Sequence, residues 1–226
     1  EIIKQIRPHI INELRTLIKL GYIELIGSGY SQIIQPLVPN ELNEKNIKYG
    51  LELYKKYFGI IPETACCNEG VYSFSGVKIL EKFKYKNLIM EWNNFYKNNM
   101  HLDKSQFYYP GKLNASKINL IWYNTIIFQA LQRFVKNEID EKSYIQIVKN
   151  LNKKKGYLCL YASDGEIFGY NPKRYKDDVI KGDSWKKIEK IIDIFGLENF
   201  KHVKEIYKTN KNLTKLSLTD CKHPIL

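Results

Sequence analysis

No stretch of this sequence approaches the ~20 uninterrupted apolar residues that a membrane helix requires. Its first segment, EIIKQIRPHIINEL, is amphipathic rather than signal-like, so the chain reads as soluble and cytoplasmic, without a membrane partner. Cysteine and histidine are sparse, four of each in 226 residues. Cys66, Cys67, Cys159 and Cys221 form no C-x-x-C pair, and adjacent Cys66 and Cys67 point to opposite faces of a strand, which argues against a disulfide framework. His9, His101, His202 and His223 are scattered and include no H-x₃-H spacing, so neither a catalytic metal nor another cofactor is expected. Arginine is scarce as well. The net charge of +12 invites a nucleic-acid reading, yet only four of the 36 basic residues are arginine: Arg7, Arg15, Arg133 and Arg174. Arginine is the preferred bidentate reader of phosphates and base edges. The lysines accompany abundant Asn, Ile and Tyr, as in a codon-biased composition, and runs such as NKKKG (152–156) read as solvated loops. No nucleic-acid partner is expected. Internal repeats are also missing.

What is present is an alternation of helical and strand-like segments. Residues 2–20 carry an apolar stripe (Ile3, Ile6, Ile10, Leu14, Leu17, Ile18) that stops at Gly21, with Pro8 predicting a kink or a later start. Strands are expected at 22–27, 62–67, 87–92 and 157–162, with shorter extended pieces near 106–111 and 118–123. Helices are expected from Asn40 or Asn43 to Tyr57, over 71–84, as one long element from about 125 to 150, and over 184–195. The stretch after 92, rich in Asn and aromatics, reads as a loop. Strands alternating with helical crossovers predict an α/β fold with a parallel sheet, and the repetition suits a barrel. In such a barrel the working residues gather at the C-terminal ends of the strands, which selects GSGYSQ, CCNEG, EWNN, WYN and ASDGE.

The carboxyl groups at those ends are Glu69, Glu91, Asp164 and Glu166, with Glu24 inside its strand. Retaining hydrolysis of a glycosidic bond needs two carboxyls about 5–5.5 Å apart, one as nucleophile and one as acid/base. Acidic residues at strand ends also cap helices, so pattern alone leaves both roles open.

Taken in order, GYIELIGSGYSQIIQPLVP, then YGLELYKKYFGIIPETACCNEG, then the strand ending in SDGEIFG resemble the family 57 glycoside hydrolases, over most of residues 20–200. The resemblance implies an incomplete (β/α)7 barrel of parallel strands, here lacking its first strand or strands, and a retaining mechanism on α-linked oligo- or polysaccharides. The family's nucleophile motif, a proline followed after six residues by the catalytic glutamate, falls on Pro62 and Glu69. Its acid/base motif, Asp-x-Glu-x-Phe-Gly, falls on Asp164, Glu166, Phe168 and Gly169. Glu69 would then be the nucleophile, Asp164 the acid/base, and Glu166 an orienting neighbour. Three positions depart from the family pattern: Cys66 replaces a tryptophan, Asn68 a proline, and Gln32 a histidine. The family's first motif is absent, and the chain begins at Glu1 and stops in CKHPIL, so a fragment truncated at both ends is expected. Residues 1–200 would form the partial barrel and 201–226 the start of a helical region or tail.

Further substrate contacts are read at Tyr30 and Gln32 after the first strand, and at Trp92, Asn93 and Asn94, where a ring can stack on a sugar while amides bind its hydroxyls. Trp122, with Tyr123 and Asn124, forms a similar set. Core packing is the competing reading for both tryptophans. Arg174 could hold a carboxylate or phosphate, or lie in a surface loop. Two other function classes stay open: a sugar-binding relative that has lost the chemistry, and a metal-dependent deacetylase-like hydrolase. Oligomeric state is not legible.

Overall fold

In the computed structural model, which describes residues 2–152, 156–165, 183–209 and 213–220, Pro8 divides the first amphipathic segment. Helix α1 (Ile2–Ile6) ends at Arg7, because the residue before proline is driven out of the α region. Helix α2 (Pro8–Leu20) then starts with proline in its first turn and stops at Gly21, whose φ of 80° lets Gly21 and Tyr22 donate back to Ile18 and Leu17. Strand β1 is only Ile26–Gly27. Helix α3 (Asn40–Phe58) closes at Gly59, and β2 (Thr64–Cys66) follows. Helix α4 (Phe74–Lys82) is capped by Ser73, whose Oγ accepts from the Gly76 N–H at 3.1 Å.

Strand β3 (Asn87–Glu91) leads directly into α5 (Trp92–Asn98), where the sequence predicts a loop. The Glu91 carboxylate accepts the Asn93 N–H at 2.9 Å, and Trp92, Phe95 and Asn99 bury one face of that turn of chain. Strands β4 (Gly111–Leu113) and β5 (Asn119–Tyr123) come next. The single long helix expected over 125–150 is two, α6 (Thr125–Val135) and α7 (Glu141–Leu151). Asn137 turns left-handed at φ 62°, and Asp140 caps the second helix by accepting from the Ser143 N–H. Those Ser143 hydrogen bonds hold the Asp140 carboxyl below its ordinary range. The predicted strand 157–162 contributes one parallel bridge, Tyr123 to Cys159. Helices α8 (Asp183–Phe195) and α9 (Val203–Thr209) and strand β6 (Thr214–Leu216) complete the described elements.

The strands form one six-stranded sheet in the order β1-β2-β3-β5-β4-β6. β1, β2 and β3 are parallel, in the register Ile26↔Thr64↔Asn87, and β4 is parallel to β6. The expectation of parallel strands fails at β4 and β5, which are antiparallel. Their short connection, closed by the Leu113 N–H donating to Ile118, leaves no room for a crossover. The chain divides into two compact units, residues 1–121 with 202–226, and residues 122–201. In the first, Ala65, Leu88, Met90 and Leu120 are buried in the sheet, and Ile118 just before β5 and Val77 and Leu80 on α4 are buried as well. In the second, Leu131, Phe134, Tyr144, Val148 and Ile191 form a core in which the Phe134 and Tyr144 rings stack at 5.3 Å. Among the described residues no helix is long and apolar enough to cross a membrane.

Candidate active site

Because β1, β2 and β3 are parallel, their C-terminal ends share one edge of the sheet. That edge receives the loop 28–38, the turn after β2 and the β3–α5 junction.

The turn after β2 is a 3-10 turn, Asn68–Gly70, with Glu69 at its centre. Glu69 is exposed, and its backbone is left-handed, φ 58° and ψ 13°, followed by Gly70 at φ 63°. A side chain with a Cβ pays for that conformation, about 1 kcal/mol or more, and such residues cluster where function over-determines the backbone. Behind the turn, Asn68 Nδ2 donates to the Ile33 carbonyl at 3.0 Å, and the Cys67 thiol lies 3.8 Å from Gln35 Oε1. Cys66, at the end of β2, is a neutral thiol, since burial pushes it up to about 11. Ser28, Gln35, Asn46, Cys66 and Asn68 line a recess beside the turn with room for one water molecule at most.

The loop after β1 brings Tyr30 and Gln32 to this edge, both exposed. Tyr30 is 61% exposed and meets Tyr49 edge-on at 6.2 Å. At the end of β3, Glu91 is buried, and Asn93 holds its Oδ1 buried without a hydrogen-bond partner. Asn94 lies in α5. Trp92 is 7% exposed, stacked on Tyr96 at 5.2 Å and beside Phe107, which leaves little ring face for a sugar. Trp122 is 1% exposed, and neighbouring Asn124 caps α6 through the Ile126 N–H at 2.8 Å. In the second unit Asp164 is exposed, and its carbonyl accepts the Tyr161 hydroxyl at 2.6 Å. Glu166 and Arg174 lie outside the described residues. Glu24 sits at the opposite end of the strands, where its carboxylate accepts from Thr64 Oγ1 at 2.8 Å and from the Lys204 N–H at 3.2 Å. It ties chain segments together rather than facing the edge that carries Glu69. Among the described residues no three His, Cys, Asp or Glu side chains are grouped as metal ligands.

Sequence reasoning missed the asparagines that hold this edge together, Asn43, Asn46 and Asn68. The available signal was Asn43 and Asn46 at i, i+3 on the face of α3 that also carries buried Ile47 and Gly50, a polar pair where an apolar stripe belongs.

The profile of glycosyl hydrolase family 57 matches residues 1–216. No curated protein sequence matches the chain. Its fold is similar to that of a family 57-type branching enzyme from Pyrococcus horikoshii, with a TM-score of 0.75 and 16% identity over 99% of this chain and 52% of that one. A branching enzyme of the same family from Thermococcus kodakaraensis, solved with glucose, superposes with a TM-score of 0.74 at 15% identity, over 96% of this chain and 52% of that one. A 4-alpha-glucanotransferase from Thermococcus litoralis gives 0.73 at 16% identity, over 96% and 32%. The chain thus spans a third to a half of the length of these solved structures, and at such identities the likeness shows the fold.

Proposed function

Because the chain belongs to glycosyl hydrolase family 57, we propose that it carries the catalytic carboxyls of a retaining enzyme acting on α-linked glucans, with Glu69 as nucleophile and Asp164 as acid/base. The observation that carries this reading is the left-handed Glu69 backbone, which presents an exposed carboxylate on a strained turn at the C-terminal end of β2. An α-glucan substrate is supported by the glucanotransferase and branching enzymes whose fold it resembles. We place the sheet within an incomplete (β/α)7 barrel, since that is the architecture the family motifs imply.

In the proposed reaction a Glu69 carboxylate oxygen attacks the anomeric carbon while the Asp164 proton passes to the departing glycosidic oxygen. The C–O bond breaks and a glycosyl ester forms on Glu69. The Asp164 carboxylate then takes a proton from water, or from the hydroxyl of a second sugar. That oxygen attacks the anomeric carbon from the other face, and Glu69 is released. Water gives hydrolysis and a sugar hydroxyl gives transfer. Tyr30, Gln32, Asn93 and Asn94 are the proposed sugar contacts on the first unit, and Glu166 and Arg174 those that follow Asp164.

The test is turnover of maltooligosaccharides by the full-length protein. Glu69→Gln should lower it by roughly three orders of magnitude or more, and a glycosyl adduct should be trapped on Glu69 in the wild type. Unchanged turnover in Glu69→Gln overturns the assignment. Sugar binding by the wild type without any product would instead mark an inactive relative, the direction in which Gln32 and Cys66 depart from the family motif.

A further inference from the structure

The loop after β1 is fastened to α3 along a polar stripe. Tyr54 accepts the Ser28 N–H on its hydroxyl at 2.9 Å, and Asn46 makes two side-chain bonds to Ser31, from its N–H to Oδ1 at 2.7 Å and from Nδ2 to its carbonyl at 3.1 Å. The Asn46 carbonyl takes the Tyr30 N–H at 2.9 Å, and Asn43 Nδ2 donates to the carbonyls of Gln35 and Val38. Between them Gly50 lets the backbones touch, since a Cβ there would stand 2.8 Å from the Ser28 carbonyl oxygen. Asn43 and Asn46 are 2% and 8% exposed, and Asn43 keeps its Oδ1 buried without a partner. A helix face that accepts such a cost is holding something in place.

What it holds reaches the Glu69 turn through the side chain of Asn68, beside the longer approach of the Cys67 thiol to Gln35 Oε1 at 3.8 Å. The turn's backbone bonds include the Gly70 N–H to the Cys67 carbonyl at 3.1 Å and the Val71 N–H to the Asn68 carbonyl at a long 3.4 Å. Asn68, the residue before Glu69, adds the 3.0 Å bond to Ile33, 35 positions away in the fastened loop. We propose that Asn68 is a positioning residue for the Glu69 carboxylate, pinning the left-handed turn to a loop that α3 keeps rigid. This rests on Glu69 being the nucleophile. A carboxylate displaced by about 1 Å loses in-line approach to the anomeric carbon, which slows the chemical step more than it weakens sugar binding.

The experiment compares Asn68→Ala and Asn68→Asp, the latter of equal size but without the donor, with Glu69→Gln in the full-length protein. Both Asn68 variants should lower kcat on maltooligosaccharides by about tenfold to hundredfold while KM stays within about twofold. Their thermal midpoints should remain close to wild type, and amide exchange should quicken at Gly70 and Val71 but not in β3. A kcat within twofold of wild type, or unchanged exchange at the turn, overturns the inference while an inactive Glu69→Gln leaves the nucleophile assignment standing. If Glu69→Gln turns over like the wild type, that assignment fails and the role of Asn68 fails with it. Should Asn68→Asp not fold, Asn68→Ala decides.

Discussion

At the residue scale the tension is at Glu69, which holds a functional side chain in a conformation that glycine adopts freely. Glu69→Gly should therefore raise the unfolding free energy by about 1 kcal/mol relative to Glu69→Gln, as relief of strain outweighs the added freedom of the unfolded chain. Denaturant unfolding of the two variants checks it, and equal midpoints would mean that the relief of strain does not exceed the added freedom of the unfolded chain. Glu69 was singled out in the sequence as a carboxyl at a strand end, in step with Pro62. Its backbone conformation was not legible, because ETACCNEG contains nothing that demands φ > 0 before Gly70. The tryptophans teach the converse. Trp92 and Trp122 sit at strand ends, where stacking on sugar and packing in the core read alike, and burial separates the two.

At the element scale, the strands are aligned at their N-terminal ends by a row of polar side chains. Glu24 accepts from Thr64 Oγ1 at 2.8 Å, Thr64 Oγ1 accepts from Asn87 Nδ2 at 3.3 Å, and Asn87 Oδ1 accepts from Asn119 Nδ2 at 3.0 Å. Strands of two to five residues carry little periodic information, so this row helps specify their register. Thr64→Val keeps the shape but removes the hydroxyl that both neighbours use, and should cost about 2 kcal/mol of stability in a denaturant titration. A loss under ~0.5 kcal/mol would show that the row is decorative. Helix ends were the most legible elements. Pro8, Gly21 and Gly59 act locally and mark their boundaries in any context. The break between α6 and α7 was missed because the apolar period continues through it, and the Asp140 cap reads as one more polar surface residue.

For the whole molecule, the decisive feature is the return of the chain to its first unit. Strand β6 pairs with β4 (Gly111↔Thr214, Leu113↔Leu216), and beyond it Asn99 Oδ1 accepts from the Thr219 N–H while Asp220 accepts from the Phe74 N–H. Leu216 is buried at that edge, where a Cβ on Gly111 would come within 2.7 Å of its Cδ1. Leu216→Ala should cost about 2–4 kcal/mol and quicken amide exchange in β4 and in residues 119–121 of β5. Unchanged protection there would mean that β4 holds its place without β6. By itself the sequence determined the α/β class, the helix stops, the strand ends to search and the family motifs around Glu69 and Asp164, because these depend on local backbone preference and on residue order. The tertiary structure alone decided the antiparallel β4–β5 pair, the closing β6, the left-handed Glu69 and the Asn68–Ile33 tether. The β6 pairing and the Asn68–Ile33 tether join segments far apart in the chain, while the antiparallel β4–β5 pair and the Glu69 conformation are short-range features whose choice depends on the structure packed around them.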